Sequence, residues 1–135
     1  MLLNESASNM HQLSLINYPE VLAVARLEVD QPWPEWAMQS PFVSISRTSD
    51  ELSIVCERQF VPATVQAERN WRGLRVAGSL DFSQVGILAS LAAPLAQAQI
   101  SIFVLSTYDT DYLLLREHEF GEAVAVLTAA GHTIS

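Results

Sequence analysis

Two stretches of this sequence gather side chains able to do chemistry: Asp109-Thr110-Asp111, and the run from Gly78 to Ile87. A D-x-D pair can hold a divalent cation beneath a sugar nucleotide, but a chain of 135 residues leaves no room for the nucleotide-binding domain that such chemistry needs. An acid-catalytic Asp-Thr loop needs a second carboxylate, brought by a dimer, and a glycine where this chain has Asp111. The plainer reading is a polar hairpin tip whose Asp side chains accept backbone amides. The run Gly78-Ser79-Leu80-Asp81-Phe82-Ser83-Gln84-Val85-Gly86-Ile87 joins a strand to a helix start. Asp81 with Gln84 three residues later has capping-box spacing, and Ser83 is a rival N-cap. Free amides at such a start can hold a carboxylate, and Gly86 in the first turn leaves room for one to approach.

Other candidates read as structure. Glu117-His118-Glu119 sits where a helix begins, and carboxylates favour the positive end of the helix dipole. Cys56 has no histidine beside it to activate it and reads as a small apolar residue. Being the only cysteine, it excludes an internal disulfide. With three scattered histidines it also makes a poor metal inventory, so neither a metal nor a cofactor is expected. Trp33, Trp36 and Trp71 read as core or module-interface anchors. No G-x-S-x-G, G-x-G-x-x-G or C-x-x-C occurs, and the expectation is a protein without a catalytic centre.

Composition narrows the partners. Half of the chain is hydrophobic and only 16% is charged, enough apolar material for a sizeable core. Fifteen acidic residues face seven basic ones, all arginine, for a net charge of -8. That field repels phosphate backbones and anionic lipid, so no nucleic acid and no membrane is expected as a partner. Without lysine there is neither Schiff-base chemistry nor a phosphate-loop lysine. A cationic or zwitterionic small molecule fits the charge. No signal-like or membrane-spanning apolar run occurs, and a cytoplasmic protein is expected.

The elements that must position these residues follow from the hydrophobic pattern. His11 to Glu28 predicts two strands broken at Tyr18-Pro19, and Pro32 to Trp36 a brief helical turn. Phe42–Ser46 and Leu52–Cys56 flank a Thr48–Glu51 turn as a hairpin, and Val61–Arg69 has material for one or two helical turns. Trp71–Ala77 reads as a strand, followed by a helix with Ile87, Leu88, Leu91 and Leu95 at helical spacing. Pro94 should weaken the end of that helix. Ile100–Thr107, apolar on both faces, predicts a central covered strand. Asp111–Arg116 is the next strand and Glu119–Ala130 an amphipathic helix. Gly131 is its C′ residue, and His132–Ile134 is a last edge strand. The order from Trp71 is strand, helix, strand, strand, helix, strand, a split β-α-β unit. The first half has a similar order with weaker helices, although no residue-level repeat ties the halves together.

Several segments then carry a resemblance: Leu74-Arg75-Val76-Ala77-Gly78, Asp81 to Leu88, Leu95-Ala96, Ile100 to Phe103 and, above all, Leu105-Ser106-Thr107-Tyr108-Asp109-Thr110-Asp111-Tyr112. This stretch resembles the ACT-domain family, related to the aspartate kinase regulatory domains and the animal cytosolic arginine sensors. The strand Glu51 to Glu57 is similar to the first module of small bacterial two-ACT proteins. The resemblance implies an α+β protein of two ferredoxin-like βαββαβ ACT modules side by side, residues 1-69 and 70-135, with helices packed on one face of an antiparallel sheet. It implies an amino-acid ligand, held through the backbone of Thr107 and Tyr108, with Asp111 taking its cationic group and the loop of Asp81, Phe82, Ser83, Val85, Gly86 and Ile87 closing over it. With two modules rather than the four of the sensors, a site between repeats requires a homodimer. The expected function is regulation by a bound amino acid, a cationic one such as arginine or lysine fitting the charge. The alternative is an assembly module that binds an unidentified protein partner and no small molecule.

Overall fold

A computed structural model describes residues 12–77 and 86–135 of the chain. It groups into two compact units, a central one of Pro19–Arg72 and an outer one built from the segments on either side.

The central unit holds β2 (Leu22–Leu27), α1 (Glu35–Met38), β3 (Val43–Arg47), β4 (Leu52–Glu57) and a 3-10 turn at Arg58–Phe60. It ends in the first part of β5 (Ala67–Val76). The strands lie in the order β3-β4-β2-β5, with every neighbouring pair antiparallel. Its core is made of small residues, Ala23, Ala25, Ala37 and Cys56, together with Leu52, Ile54 and Val61. The short helix comes close to the sheet because alanines face it. Ser40, just past that helix, is buried, its Oγ donating to the Phe42 carbonyl at 2.6 Å and accepting from the Glu57 amide at 3.1 Å.

The helical turns expected over Val61–Arg69 do not form. Pro62 offers no amide, and the Arg69 guanidinium instead collects the carbonyls of Val61, Pro62 and Val65 at 3.3, 2.8 and 2.7 Å. Helical backbone stops at Phe60, and β5 begins at Ala67.

The outer unit contains β1 (Ser14–Asn17), the end of β5, α2 (Ile87–Gln97), β6 (Ile102–Ser106) and β7 (Asp111–Arg116). A 3-10 turn at Glu117–Glu119, α3 (Phe120–Ala129) and β8 (Thr133–Ile134) complete it. Its strands run β6-β7-β5-β1-β8. Leu91 and Leu95 of α2, with Ala123 and Leu127 of α3, are spaced by one helical turn. They pack on Leu15, Leu74, Val76, Leu113 and Leu115 of the sheet, so both helices cover one face. Each leucine fully buried there contributes roughly 1.5–3 kcal/mol. The strand β1, which the sequence reading puts in the first module, pairs antiparallel with β5 and parallel with β8 of this unit. Its one inward side chain, Leu15, is fully buried in the helix-covered core.

Three further expectations change. β6 is not central: its hydrogen-bonded neighbour among the described residues is β7 alone, and its apolar residues are half-buried. A continuous apolar run reports contact on both faces, not the number of flanking strands. Trp33 anchors no core, being 59% exposed, whereas Trp71 is buried and Trp36 packs on the central core. The helix start expected at Asp81 or Ser83 lies outside the described residues; α2 begins at Ile87 with Gly86 as its N-cap rather than in its first turn.

Both long helices end in the same way. His132 N bonds Leu127 O and Gly131 N bonds Thr128 O, while Ile100 N bonds Leu95 O and Gln99 N bonds Ala96 O. These are two Schellman motifs, one with Gly131 at C′ (φ 101°) and one with Gln99 there (φ 61°). The outer unit also repeats the central one. Val43–Arg47 and Ile102–Ser106, Leu52–Glu57 and Asp111–Arg116, and the two 3-10 turns are each 59 residues apart (43 to 102, 52 to 111, 58 to 117).

Candidate functional site

The candidate site is built on the turn between β6 and β7. The Thr107 amide donates to the Thr110 carbonyl at 2.8 Å, the Thr107 hydroxyl donates to the same oxygen at 3.1 Å, and Thr110 N reaches Thr107 Oγ1 at 3.3 Å. Thr110 is buried, and its Oγ1 donates to the Val76 carbonyl at 2.8 Å. That bond fixes the turn to the end of β5, from which the chain leaves toward α2. The turn thus stands beside the C-terminal end of β5.

Asp111 opens β7 opposite Ser106 of β6. Leu113 and Leu115, at the following alternate positions, belong to the helix-covered core, so Asp111 projects on the helix-bearing face. Ser106 Oγ donates to Asp111 Oδ1 at 2.6 Å, the one side-chain bond to this carboxylate among the described residues. Tyr108 at the tip is 82% exposed. On the helix side, Gly86 holds a left-handed conformation (φ 83°), and its carbonyl receives both the amide and the hydroxyl of Ser90, at 3.0 and 2.7 Å. Ile87 is buried. Asp81, Phe82, Ser83 and Val85 lie outside the described residues.

The remaining reactive groups take structural roles. Glu117, His118 and Glu119 form the turn that leads into α3. Burial, reinforced by the neighbouring Glu57 charge, pushes the Cys56 thiol up to about 11, which removes it as a nucleophile. Sequence reasoning missed His132: its ring is buried, accepting from the Leu13 amide at Nδ1 (3.0 Å) and meeting the Ser90 carbonyl at Nε2 (2.9 Å). A signal for it existed in Pro94, which withholds the amide that the Ser90 carbonyl would otherwise receive.

The central unit has a cavity of about 190 Å³ lined by Val24, Ala25, Ala67 and the polar Arg26, Glu51, Ser53, Gln66 and Glu68, none of them singled out by the sequence reading. Arg26 is already engaged there, with Glu28 at 3.2 Å, Glu51 at 3.9 Å and the Asp50 carbonyl at 3.2 Å. Among the described residues, no three His, Cys, Asp or Glu side chains gather as a metal ion would require.

Residues 66–129, from the start of β5 to the end of α3, match the ACT domain family. Residues 66–129 are an ACT domain. A second family, described as an N-terminal domain, matches residues 20–64 of this ACT-domain protein, which is most of the central unit. It is 34% identical over 95 residues to the mouse cytosolic arginine sensor for mTORC1 subunit 1, a match covering 64% of this chain and 29% of the mouse protein. The ACT-domain protein therefore spans under a third of that relative. A crystal structure of an Agrobacterium tumefaciens protein is 36% identical, with a TM-score of 0.87 over 93% of each chain. The regulatory subunit of aspartate kinase from Thermus thermophilus shares the fold (TM-score 0.58, 82% of this chain and 93% of that one) at 8% identity.

Proposed function

We propose that this ACT-domain protein is a non-catalytic cytoplasmic regulator that binds a cationic amino acid, such as arginine or lysine, beside the β6–β7 turn. The observation that carries the reading is the Asp111 carboxylate, one oxygen held by Ser106, on a turn tied by Thr110 to the end of β5. A zwitterion with a cationic side chain needs an acceptor for that cation and donors for its carboxylate. Asp111 supplies the first, and the loop of Asp81, Phe82, Ser83, Val85, Gly86 and Ile87, leading into α2, supplies the second. The Thr107 amide is committed to the turn, so Thr107 meets the ligand through its carbonyl, with Tyr108 beside it. The central unit gives an internal precedent: Arg26 sets a guanidinium on the Asp50 carbonyl, in the turn that recurs as Thr107–Thr110. The name of the mouse relative, an arginine sensor, supports the same ligand class.

Opposite charges about 4 Å apart at an effective dielectric near 20 attract by ~4 kcal/mol, and desolvation removes much of that. Micromolar binding needs roughly 8 kcal/mol in total, so contact with Tyr108 and the loop must contribute the rest. A homodimer completes a site that a single pair of modules leaves open. A thermal-shift panel of the twenty amino acids at millimolar concentration tests this, since a ligand a thousandfold above its Kd stabilises by about 4 kcal/mol. One cationic amino acid should raise Tm in the wild type and fail to do so in Asp111→Ala. Stabilisation by none, or by an acidic amino acid alone, overturns the reading.

Among the described residues β6 pairs with β7 alone, and that edge favours a second reading. Ile102–Ser106 carries no charge, the feature that usually protects an edge strand from pairing. An assembly module that recruits a protein partner along this edge would copurify with it and melt at one temperature regardless of amino acid.

A further inference from the structure

Pro94 stands inside α2 and has no amide proton, so the carbonyl of Ser90, four residues earlier, cannot receive its helical bond. His132 Nε2 takes that place at 2.9 Å. The other ring nitrogen, Nδ1, accepts from the Leu13 amide at 3.0 Å and therefore carries no proton. The neutral ring thus has its proton on Nε2, which donates to Ser90. Ser90 in turn donates both its amide and its hydroxyl to the Gly86 carbonyl. Ser90 and His132 are each 3% exposed, so water does not compete for the bond between them. The Gly131 C′ residue of the Schellman motif is what turns His132 inward at this point.

A line of hydrogen bonds, buried at its Ser90–His132 centre, therefore runs from Gly86, the N-cap of α2, to Leu13, the residue before β1. We infer that Ser90 and His132 are positioning residues that couple the helix-start side of the ligand site to the docking of β1 on β8. Closure of a ligand on Gly86 and Ile87 and retention of β1 then stabilise each other, because coupling between two equilibria is reciprocal. The inference rests on the proposed ligand site for its regulatory meaning, while the coupling itself is a property of the ligand-free protein. A histidine that only filled core space would contribute stability without linking these two ends.

Amide hydrogen exchange separates the two roles. In the ligand-free protein, Ser90→Ala removes the hydroxyl bond to Gly86 and should raise exchange at the Leu13 amide roughly two- to tenfold, the effect of one hydrogen bond. Unchanged exchange at Leu13 overturns the coupling whatever the ligand. His132→Asn with Pro94→Ala returns an amide to the Ser90 carbonyl and should restore α2 and much of the lost Tm. With L-arginine at millimolar concentration as the probe, the wild type should show added protection at both residues 87–90 and Leu13. The double variant should keep the first and lose the second. Equal protection at Leu13 in both proteins overturns the inference. If L-arginine protects nothing in the wild type while Ser90→Ala still loosens Leu13, the ligand assignment fails and the coupling stands.

Discussion

Thr110→Val tests whether the bond that holds the β6–β7 turn matters energetically. Thr110 is 6% exposed, and valine keeps its shape and volume. The backbone groups of Thr110 that bond Thr107 are untouched, so the change removes one donor, Oγ1, from the Val76 carbonyl at 2.8 Å. A buried carbonyl left short of a donor costs about 1–3 kcal/mol. For a chain of this size that lowers Tm by about 5–10 °C. Thr110→Ser keeps the hydroxyl and loses one methyl, a cost near 0.8 kcal/mol. The expected order of stability by circular dichroism melting is wild type, Thr110→Ser, Thr110→Val. Should the hydroxyl contribute only bulk, valine would match or exceed the wild type and serine would be the least stable. That reversed order refutes the claim that the turn is tied to β5 by a hydrogen bond. A detached turn should also blunt any Asp111-dependent ligand response in Thr110→Val, read in the same melting experiment.

The paired helix ends predict changes of opposite sign. Gln99→Gly relieves a side chain from a left-handed position (φ 61°) and should stabilise by a few tenths to about 1 kcal/mol, whereas Gly131→Ala imposes one at φ 101° and should cost about 1–2 kcal/mol in urea unfolding. A β-carbon at Gly131 would stand 2.6 Å from the end of the flexible Gln12 side chain, so adding Gln12→Ala should recover only a minor part of that cost. Cys56 makes stability pH-dependent at the alkaline end. Its folded thiol, near 11 against an ordinary 9.0, holds its proton while the unfolded thiol loses it, so its contribution is complete below pH 9 and is lost as pH rises toward 11. Denaturation across that window should show a steeper loss in the wild type than in Cys56→Ala, and parallel curves would contradict the burial argument.

Alternation and helical spacing made most of the elements legible. The broken pair β1 and β2, the β3–β4 hairpin, the body of α2, all of α3 and the Gly131 stop stand where the pattern puts them. These are local signals, set by neighbours within a turn or a strand. What the pattern could not carry was pairing. Nothing in Ser14–Asn17 distinguishes a strand that adds to its own module from one that inserts between β5 and β8. Edge and central positions look alike for the same reason, as Ile102–Ser106 shows. Arg69 and His132 were illegible because each serves carbonyls distant from its own local element: Arg69 holds the loop at Val61–Val65, and His132 reaches the Ser90 carbonyl. In the site itself, the Thr-Tyr-Asp-Thr-Asp run was visible as a motif, but which of its residues build the turn and which face a ligand was not.

The internal repeat bears on the part of that question that concerns the turn. Thr107 and Asp109 recur as Thr48 and Asp50, and the turn bond recurs with them, Thr48 N to Glu51 O at 3.0 Å beside Thr107 N to Thr110 O at 2.8 Å. In the central unit the Thr48 hydroxyl accepts from the Asp50 and Glu51 amides, the ordinary work of a threonine in a tight turn. Residues shared by two units whose surroundings differ are explained by the turn they both build. The repeat parts at Tyr108, Thr110 and Asp111, whose counterparts are Ser49, Glu51 and Leu52, the last fully buried in the central core. Filling that position with an apolar side chain contributes roughly 1.5–3 kcal/mol to folding. The outer unit forgoes it and sets a carboxylate on the same face, steadied by Ser106 and close to the chain end that leads to α2. A carboxylate placed where its counterpart packs a core makes Asp111→Ala the most direct test of the proposed ligand site.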